Sequence, residues 1–356
     1  MLDPFVYTSD RLRVVFGCGV VARIAAEAEH HKMSRVMLLC SPNRIELARR
    51  IAAPLGARVV GVCAGARAGM PSAAFDEIVG ELKRLAADGF VCIGGGSPIG
   101  LAKAAAAATR IPFIAVVTTY SGSEMSSRWY IGAGADERSG ASPQALPASA
   151  IYDPELTLDL PFATSAASCM NAMAHAVESL YGPDANPIVL ALAEEAVRLL
   201  GAALPRLKSD AKDLAARTDA LYGAWLAAAF RTPVGLSHTV AQRVRQNFGT
   251  DHARTHAAVL PYAVAFNRPV APAAMARMAR ALGAGDPAQA LYDINVACGL
   301  ATGLRDLGLH ADDIPRAVEI VAGRTFPNPR TPTKADIDKV VRQAFAGQPP
   351  QPIEGA

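Results

Sequence analysis

Phe90-Val91-Cys92-Ile93-Gly94-Gly95-Gly96-Ser97-Pro98 is the stretch that decides the fold. Four apolar residues, the length of a short buried strand, run into three glycines, and an Ala-rich segment with helical spacing follows to about residue 109. Glycines let a backbone approach a diphosphate closely, and the aligned N–H groups of a helix start favour an anion. Ser97 is placed to cap that helix and Pro98 suits its first turn. A plain strand-to-helix turn has the same composition, so the turn alone leaves both readings open. It falls after several strands, not after the first as in a Rossmann fingerprint, which points to a different nucleotide-binding fold.

Strand and helix signals alternate on both sides of this turn. Apolar runs at 13–16, 36–40, 58–63 and 113–117 are strand candidates, and 20–30, 43–53 and 74–87 read as helices. Over residues 1–154 the alternation predicts a parallel sheet with helices on both faces. Beyond Tyr152-Asp153-Pro154 the chain becomes a series of Ala/Leu-rich segments at 164–181, 187–204, 211–230, 270–282, 287–307 and 335–346, punctuated by Pro and Gly. The expectation is an α/β N-terminal dinucleotide-binding domain, an all-α C-terminal substrate and catalytic domain over 155–346, a ligand cleft between them and a flexible tail at 347–356.

Composition narrows the function classes. With 51% hydrophobic and 19% charged residues, the chain fits a well-buried globular enzyme and not a disordered one. The net charge of +3 is spread without a basic run, which argues against nucleic acid and membrane surfaces as partners. No uncharged apolar run reaches about 18 residues, the length a membrane helix needs. The N-terminus lacks a basic-then-apolar signal pattern, and the six cysteines form no C-x-x-C pair. Buried thiols in a reducing cytoplasm are expected.

Two further clusters carry chemistry. Thr118-Thr119-Tyr120-Ser121-Gly122-Ser123-Glu124 follows the strand candidate 113–117, where hydroxyls favour a phosphate and ribose rim, although a polar loop has the same look. Asn171 and His175 are one helical turn apart and share a face. Asp or Glu at 171 would complete a four-ligand metal site with His175, His238 and His252; Asn is neutral and a much poorer ligand. His256 follows His252 by one turn and can reach the same pocket, and Arg243, Arg245 and Arg254 lie beside these histidines, suited to a carboxylate substrate. His30, His31 and His310 read as ordinary polar residues.

The combination GGGSPIGLAKA (94–104), TTYSGSEM (118–125), YDPELTLDLP (152–161), NAMAHAVESLYGPDANP (171–187) and YGAWLAA (222–228) resembles the iron-containing, group III alcohol dehydrogenase family. Within it the chain looks most like the maleylacetate reductase branch, over about 5–345. The resemblance implies a dehydroquinate synthase-like architecture, a homodimer, and NADH or NADPH as cofactor. It places the cofactor on Gly94, Gly95, Gly96, Ser97, Lys103, Thr118 and Thr119, with Ser41 and Asn43 after the second strand. Catalysis falls to Asn171, His175, His238, Gln242 and His252. Tyr120, Ser121, Arg243, Arg245 and His256 bind the oxo acid substrate. Metal-dependent members usually carry Asp where this chain has Gly100 and Asn171; the maleylacetate reductases resemble this chain at both and are regarded as working without a metal. His175, His238 and His252 are the imidazoles that a weakly bound cation would use. The stretch Cys40-Ser41-Pro42-Asn43-Arg44 lacks the acid that marks NAD enzymes, and Arg44 could meet a 2′-phosphate or be an exposed helix residue.

The match fails locally. Family members usually read L-H-H-K-L-C-H-V-L-G-G and then P-H-A-E-T-H; this chain has Ser237 and Gln242 at histidine positions, Arg245-Gln246 at the glycine pair and Arg254 at the acid. Gly69-Met70-Pro71 stands where a His-x-Pro loop is common. Three functions stay open: maleylacetate reduction with altered proton delivery, reduction of another oxo acid or enone, and a non-redox or binding role on the same fold.

Overall fold

The computed structural model describes residues 5, 7, 12–132, 136–230 and 232–352. The chain divides into two compact units, Asp10–Leu160 and a second one built mainly from the residues after Leu160.

The first unit is a six-stranded parallel sheet in the order β1-β8-β5-β4-β2-β3. Its strands are β1 (Arg13–Phe16), β2 (Val36–Leu39), β3 (Val59–Cys63), β4 (Gly89–Gly94), β5 (Phe113–Val117) and β8 (Ser149–Tyr152). Four helices, α1 (Ile24–His30), α2 (Ile45–Ala52), α3 (Ser72–Arg84) and α4 (Gly96–Thr109), connect them. The central strands β4 and β5 are buried at every residue, as expected of parallel strands covered on both faces. A separate antiparallel hairpin, β6 (Arg128–Ile131) with β7 (Arg138–Ala141), packs on α4. From β2 the chain moves outward to β3, then returns to β4 and β5 on the other side, so the direction of winding switches between the neighbours β2 and β4. The loops after β2, β4 and β5 therefore emerge side by side at the carboxyl ends of adjacent strands, the ligand crevice of open α/β sheets.

Strands 13–16 and 113–117 form where the apolar runs place them. Segment 20–30 is instead a 3-10 turn, Val20–Arg23, leading into α1. Strand β8 and the hairpin carry no sequence assignment. Ser149 nevertheless ties the sheet to α1. Its hydroxyl donates to Glu27 at 2.7 Å, and Glu27 also accepts from Arg13 at 2.8 and 3.0 Å.

The second unit is helical: α5 (Phe162–Leu180), α6 (Pro187–Ser209), α7 (Leu214–Ala228), α8 (Leu236–Phe248), α9 (His252–Asn267), α10 (Pro272–Leu282), α11 (Pro287–Cys298), α12 (Ile314–Ala322) and α13 (Lys334–Ala346). Asn186, Asp213, Asp251, Asp286 and Thr333 cap their helices through side-chain oxygens, which fixes five starts chemically. Helix α6 runs through Pro205 to Ser209, past the expected end at 204, and the segment expected to be helical to 307 stops at Cys298 because Gly299 takes a left-handed cap. Helices α8, α9 and α12 carry no sequence assignment. Helix α9 is buried on all sides from Thr255 onward and contains Pro261, so it shows neither an amphipathic stripe nor an uninterrupted run. The tail expected to be loose is tied back through Gln351: Tyr262 donates to the Gln348 carbonyl at 2.9 Å and Gln351 N–H to Gln343 at 3.0 Å. Among the described residues, no helix is long and apolar enough to cross a membrane.

Phe266, fully buried on α9 among Val240, Tyr262 and Ile337, anchors this helix to its neighbours. Phe266→Ala should destabilise the helical unit by about 3–5 kcal/mol, read as a lower urea midpoint; an unchanged midpoint would show that α9 is not the core element.

Candidate active site

At the carboxyl end of β4, Gly94 adopts φ +157 and Gly95 caps α4 from an extended conformation. A Cβ on Gly95 would lie 2.5 Å from Thr119 Cγ2, and one on Gly94 would lie 2.7 Å from Pro98 Cγ, so side chains are excluded where the backbone turns into the helix. No side chain caps α4; Ser97 lies inside its first turn, which corrects the capping role expected for it. Thr118 is buried, its N–H donating to the Gly94 carbonyl at 3.1 Å, while the buried Thr119 hydroxyl has no partner. An unfilled hydroxyl beside a bare helix start fits an anion-bearing nucleotide. Ser41 and Asn43 lie in the loop after β2, next to this turn in sheet order. Lys103 is buried in α4 and donates to the Ser123 carbonyl at 2.7 Å.

In the helical unit, three helices each present a polar stripe. Helix α5 carries Asn171, His175 and Glu178 at i, i+4 and i+7; α8 carries His238, Gln242 and Arg245 at the same spacing; α9 carries His252 and His256 one turn apart. The stripes meet. His175 and His238 approach to 3.1 Å between Nε2 atoms with ring centroids 4.0 Å apart. The His256 ring lies tilted 4.5 Å from that of His238 and edge-on 4.8 Å from that of His252. Glu178 holds the arrangement: it lies 2.7 Å from His238 Nδ1 and accepts the N–H groups of Gly235 (2.9 Å) and Ser237 (2.7 Å) at the start of α8. Gly235 is required there, because a Cβ would come within 3.2 Å of Glu178 and 3.1 Å of the Pro327 carbonyl.

The charged form is disfavoured at three of these imidazoles. Burial pushes His175 and His256 well below the usual histidine range, and the neighbouring histidines push the same way. His252 stands at the solvent-reached rim, yet crowding by protein first, then Arg245 and His238, lowers it to about 4. Several buried polar atoms in the cluster have no partner: Asn171 Oδ1, Ser237 Oγ, Arg245 Nε and both ring nitrogens of His256. Leaving such groups unmet costs about 1–3 kcal/mol each. Their concentration in one place is a site built to receive polar atoms of a ligand.

Family models for "iron-containing alcohol dehydrogenase" and for the C-terminal part of that family match residues 12–154 and 165–345. The chain belongs to the iron-containing alcohol dehydrogenase family. A maleylacetate reductase of Sphingobium indicum is 42% identical over 97% of this chain and 99% of its own length, and one of Burkholderia cepacia is 38% identical over 98% and 100%. The structure of maleylacetate reductase from Agrobacterium tumefaciens superposes with TM-score 0.94 at 35% identity, covering 98% of this chain and all of that one (100%). Membership makes the chain an oxidoreductase, which removes the non-redox and binding readings.

The family name implies iron, and the donor groups gathered here are imidazoles and the Asn171 amide. Position 171 offers an amide where metal-dependent members have a carboxylate. Glu178 is engaged by α8 and His238, the Nε2 atoms of His175 and His238 bond to each other, and Arg245 adds positive charge beside His252 and His256. A Cβ on Gly100 would lie 2.2 Å from the Met70 sulfur, so a side chain there requires Met70 to move.

Of the residues expected at the reacting centre, His175, His238, His252 and His256 come together, with Asn171 buried on the same face of α5 as His175. Gln242 and Arg245 follow His238 along one face of α8. Arg243 lies off that face and donates to Gln246 at 2.9 Å. Tyr120 is fully buried beside the half-buried Ser121 in the α/β unit. Sequence reading missed Glu178, although its spacing from His175 (i+3) and Asn171 (i+7) was a usable signal.

Two outcomes check this geometry. Gly95→Ala should force Thr119 aside and weaken nucleotide binding by calorimetry at least about tenfold, the effect of about 1.4 kcal/mol; unchanged affinity would remove the turn from the nucleotide site. Acid should also act through the histidines. Unfolded imidazoles titrate near 6.5 and His252 in the fold near 4, so between those values the unfolded chain binds more protons. Stability is complete above pH 6.5 and falls as pH drops toward 4. His256→Gln should flatten the fall in Tm between pH 7 and 5; an unchanged slope would mean His256 is not held neutral.

Proposed function

We propose that this chain is a metal-independent maleylacetate reductase, using NADH or NADPH to reduce the conjugated C=C of maleylacetate to 3-oxoadipate. The observation that carries this is the neutral histidine cluster with unmet polar atoms, in a chain 37–42% identical over nearly its full length to several maleylacetate reductases. The nucleotide, held by Gly94, Gly95, Gly96, Thr118 and Thr119, supplies the hydride.

The helical unit then has three tasks. Hydride addition to the alkene moves negative charge onto the conjugated ketone oxygen, and neutral donors stabilise it: the amide of Gln242 and the ring N–H of His256 suit this. A proton must return to the adjacent carbon, which completes the reduction to CH2–CH2. With a histidine replaced by Gln242, that proton comes from the remaining imidazoles or from water they hold, because an amide cannot relay a proton. The carboxylates of the substrate need cations or N–H groups, and Arg245 offers a guanidinium with an unmet Nε beside the cluster. The enzyme is taken to be a cytoplasmic homodimer, which sedimentation checks for the dimer.

Gln242, Ser237 and Arg254 favour a second reading, reduction of another oxo acid or enone by the same machinery. The assay separates the two: purified protein should consume NADH when given maleylacetate, and failure to do so while NADH still binds supports the second. His238→Ala should cut kcat by about 10²–10⁴ with NADH affinity unchanged, the loss typical of removing an acid–base group; undiminished turnover would exclude His238 from the reaction. Metal content should be substoichiometric and chelators without effect; chelator-sensitive turnover would overturn metal independence. Arg44→Ala should weaken NADPH more than NADH, and an equal effect on both removes Arg44 from cofactor choice.

A further inference from the structure

Helix α8 begins without a cap of its own. Gly235 stands at its N-cap, and the first bond inside the helix, Thr239 N–H to the Gly235 carbonyl at 3.0 Å, leaves the N–H groups of residues 235–238 to outside partners. Glu178 on α5 takes three of them: Oε1 accepts from Ser237 at 2.7 Å and His238 at 3.4 Å, Oε2 from Gly235 at 2.9 Å. The fourth, Leu236 N–H, is met by Asn328 Oδ1 at 3.4 Å, from the segment between α12 and α13. This oxygen also lies 3.3 Å from where a Cβ on Gly235 would stand. The same amide is held by α9. Asn328 Nδ2 donates to Asn267 Oδ1 at 2.7 Å and to the Arg330 carbonyl at 2.9 Å, and Asn267 Nδ2 donates back to Asn328 Oδ1 at 3.1 Å. A backbone N–H at one end and a backbone carbonyl at the other fix which way the Asn328 amide points. Asn267 is fully buried at the end of α9, and the Arg330 guanidinium lies 3.8 Å over the ring of Phe266 beside it.

We propose that Asn328 is a positioning residue for the reacting centre: its amide ties the start of α8 to the end of α9, so that the angle of α8, and with it the placing of His238, Gln242 and Arg245, is set from two elements and not by Glu178 alone. In its functional consequence this rests on the cluster being the reacting centre of a reductase. Leverage makes a small change matter. Arg245 lies about 15 Å along the helix from Gly235, so a tilt of about 4° at the start carries it about 1 Å. Misplacing a group at a reacting centre by about 1 Å can cost about 10²-fold in rate. The apolar side of α8, with Leu236, Val240 and Val244 in the core, resists a large tilt, so a partial loss is expected and not a collapse.

The first test needs no substrate. Amide hydrogen exchange of the full-length protein, read by mass spectrometry, should be at least about tenfold faster over 235–240 in Asn328→Ala, with exchange over 187–204 in α6 unchanged. Wild-type exchange over 235–240 overturns the proposal. In turnover with NADH and maleylacetate, well below Tm, Asn328→Ala should lose about tenfold in kcat with KM for NADH within about twofold. Leu221→Ala, which opens a cavity on the buried α7, is the control for stability alone: it should lower Tm and leave kcat within about twofold. Wild-type kcat in Asn328→Ala, or an equal loss in Leu221→Ala, overturns the functional role. Should Asn328→Ala not fold, Asn267→Ala removes the α9 end of the tie and should show the same changes in exchange and kcat; no change in either overturns the proposal. Faster exchange over 235–240 in a protein whose wild type does not reduce maleylacetate would sink the substrate assignment and leave the tie between α8 and α9 intact.

Discussion

One carboxylate organises the helical unit. Glu178 projects from α5 into the N-terminus of α8, where backbone N–H groups have no partner of their own helix, and it fills that need while gripping His238. A helix start buried without an acceptor would be costly, and so would a buried carboxylate without donors. Each solves the other's problem. Because the same oxygen faces both Gly235 N–H and the imidazole, the packing of two helices and the orientation of a reactive ring become a single event. Helix α9 then brings His256 against that ring, with His252 edge-on to His256.

The α/β unit solves a different problem with different means. Its nucleotide turn is made by removing side chains: Gly94 and Gly95 leave no room for a Cβ beside Pro98 and Thr119. The helical unit is made by supplying side chains, polar ones, at seven-residue reach along α5 and α8. One unit presents bare backbone at a helix start, and the other presents imidazoles and a guanidinium.

Legibility followed this contrast. The glycine turn and the runs flanking it were plain in the sequence because strand, turn and Ala-rich helix each have a distinct local signature. Six helices of the second unit were likewise visible, with errors at Pro205, which α6 runs through, and at Gly299, where a left-handed cap ends α11. Helices α8 and α9 were not. The first devotes a face to polar site residues and the second is buried around its whole girth with a proline inside, so neither shows a stripe. The histidines themselves were legible through spacing and resemblance. Glu178 was not singled out, since an acid in a helix reads as a solvated residue until tertiary structure buries it.

Gly100 and Met70 lie far apart in the chain but share one volume, the methionine sulfur occupying what a side chain at 100 would need. The two positions are therefore not free to drift separately. A side chain at 100 requires the methionine at 70 to swing its sulfur away, and a smaller residue at 70 leaves that volume empty unless a side chain at 100 fills it.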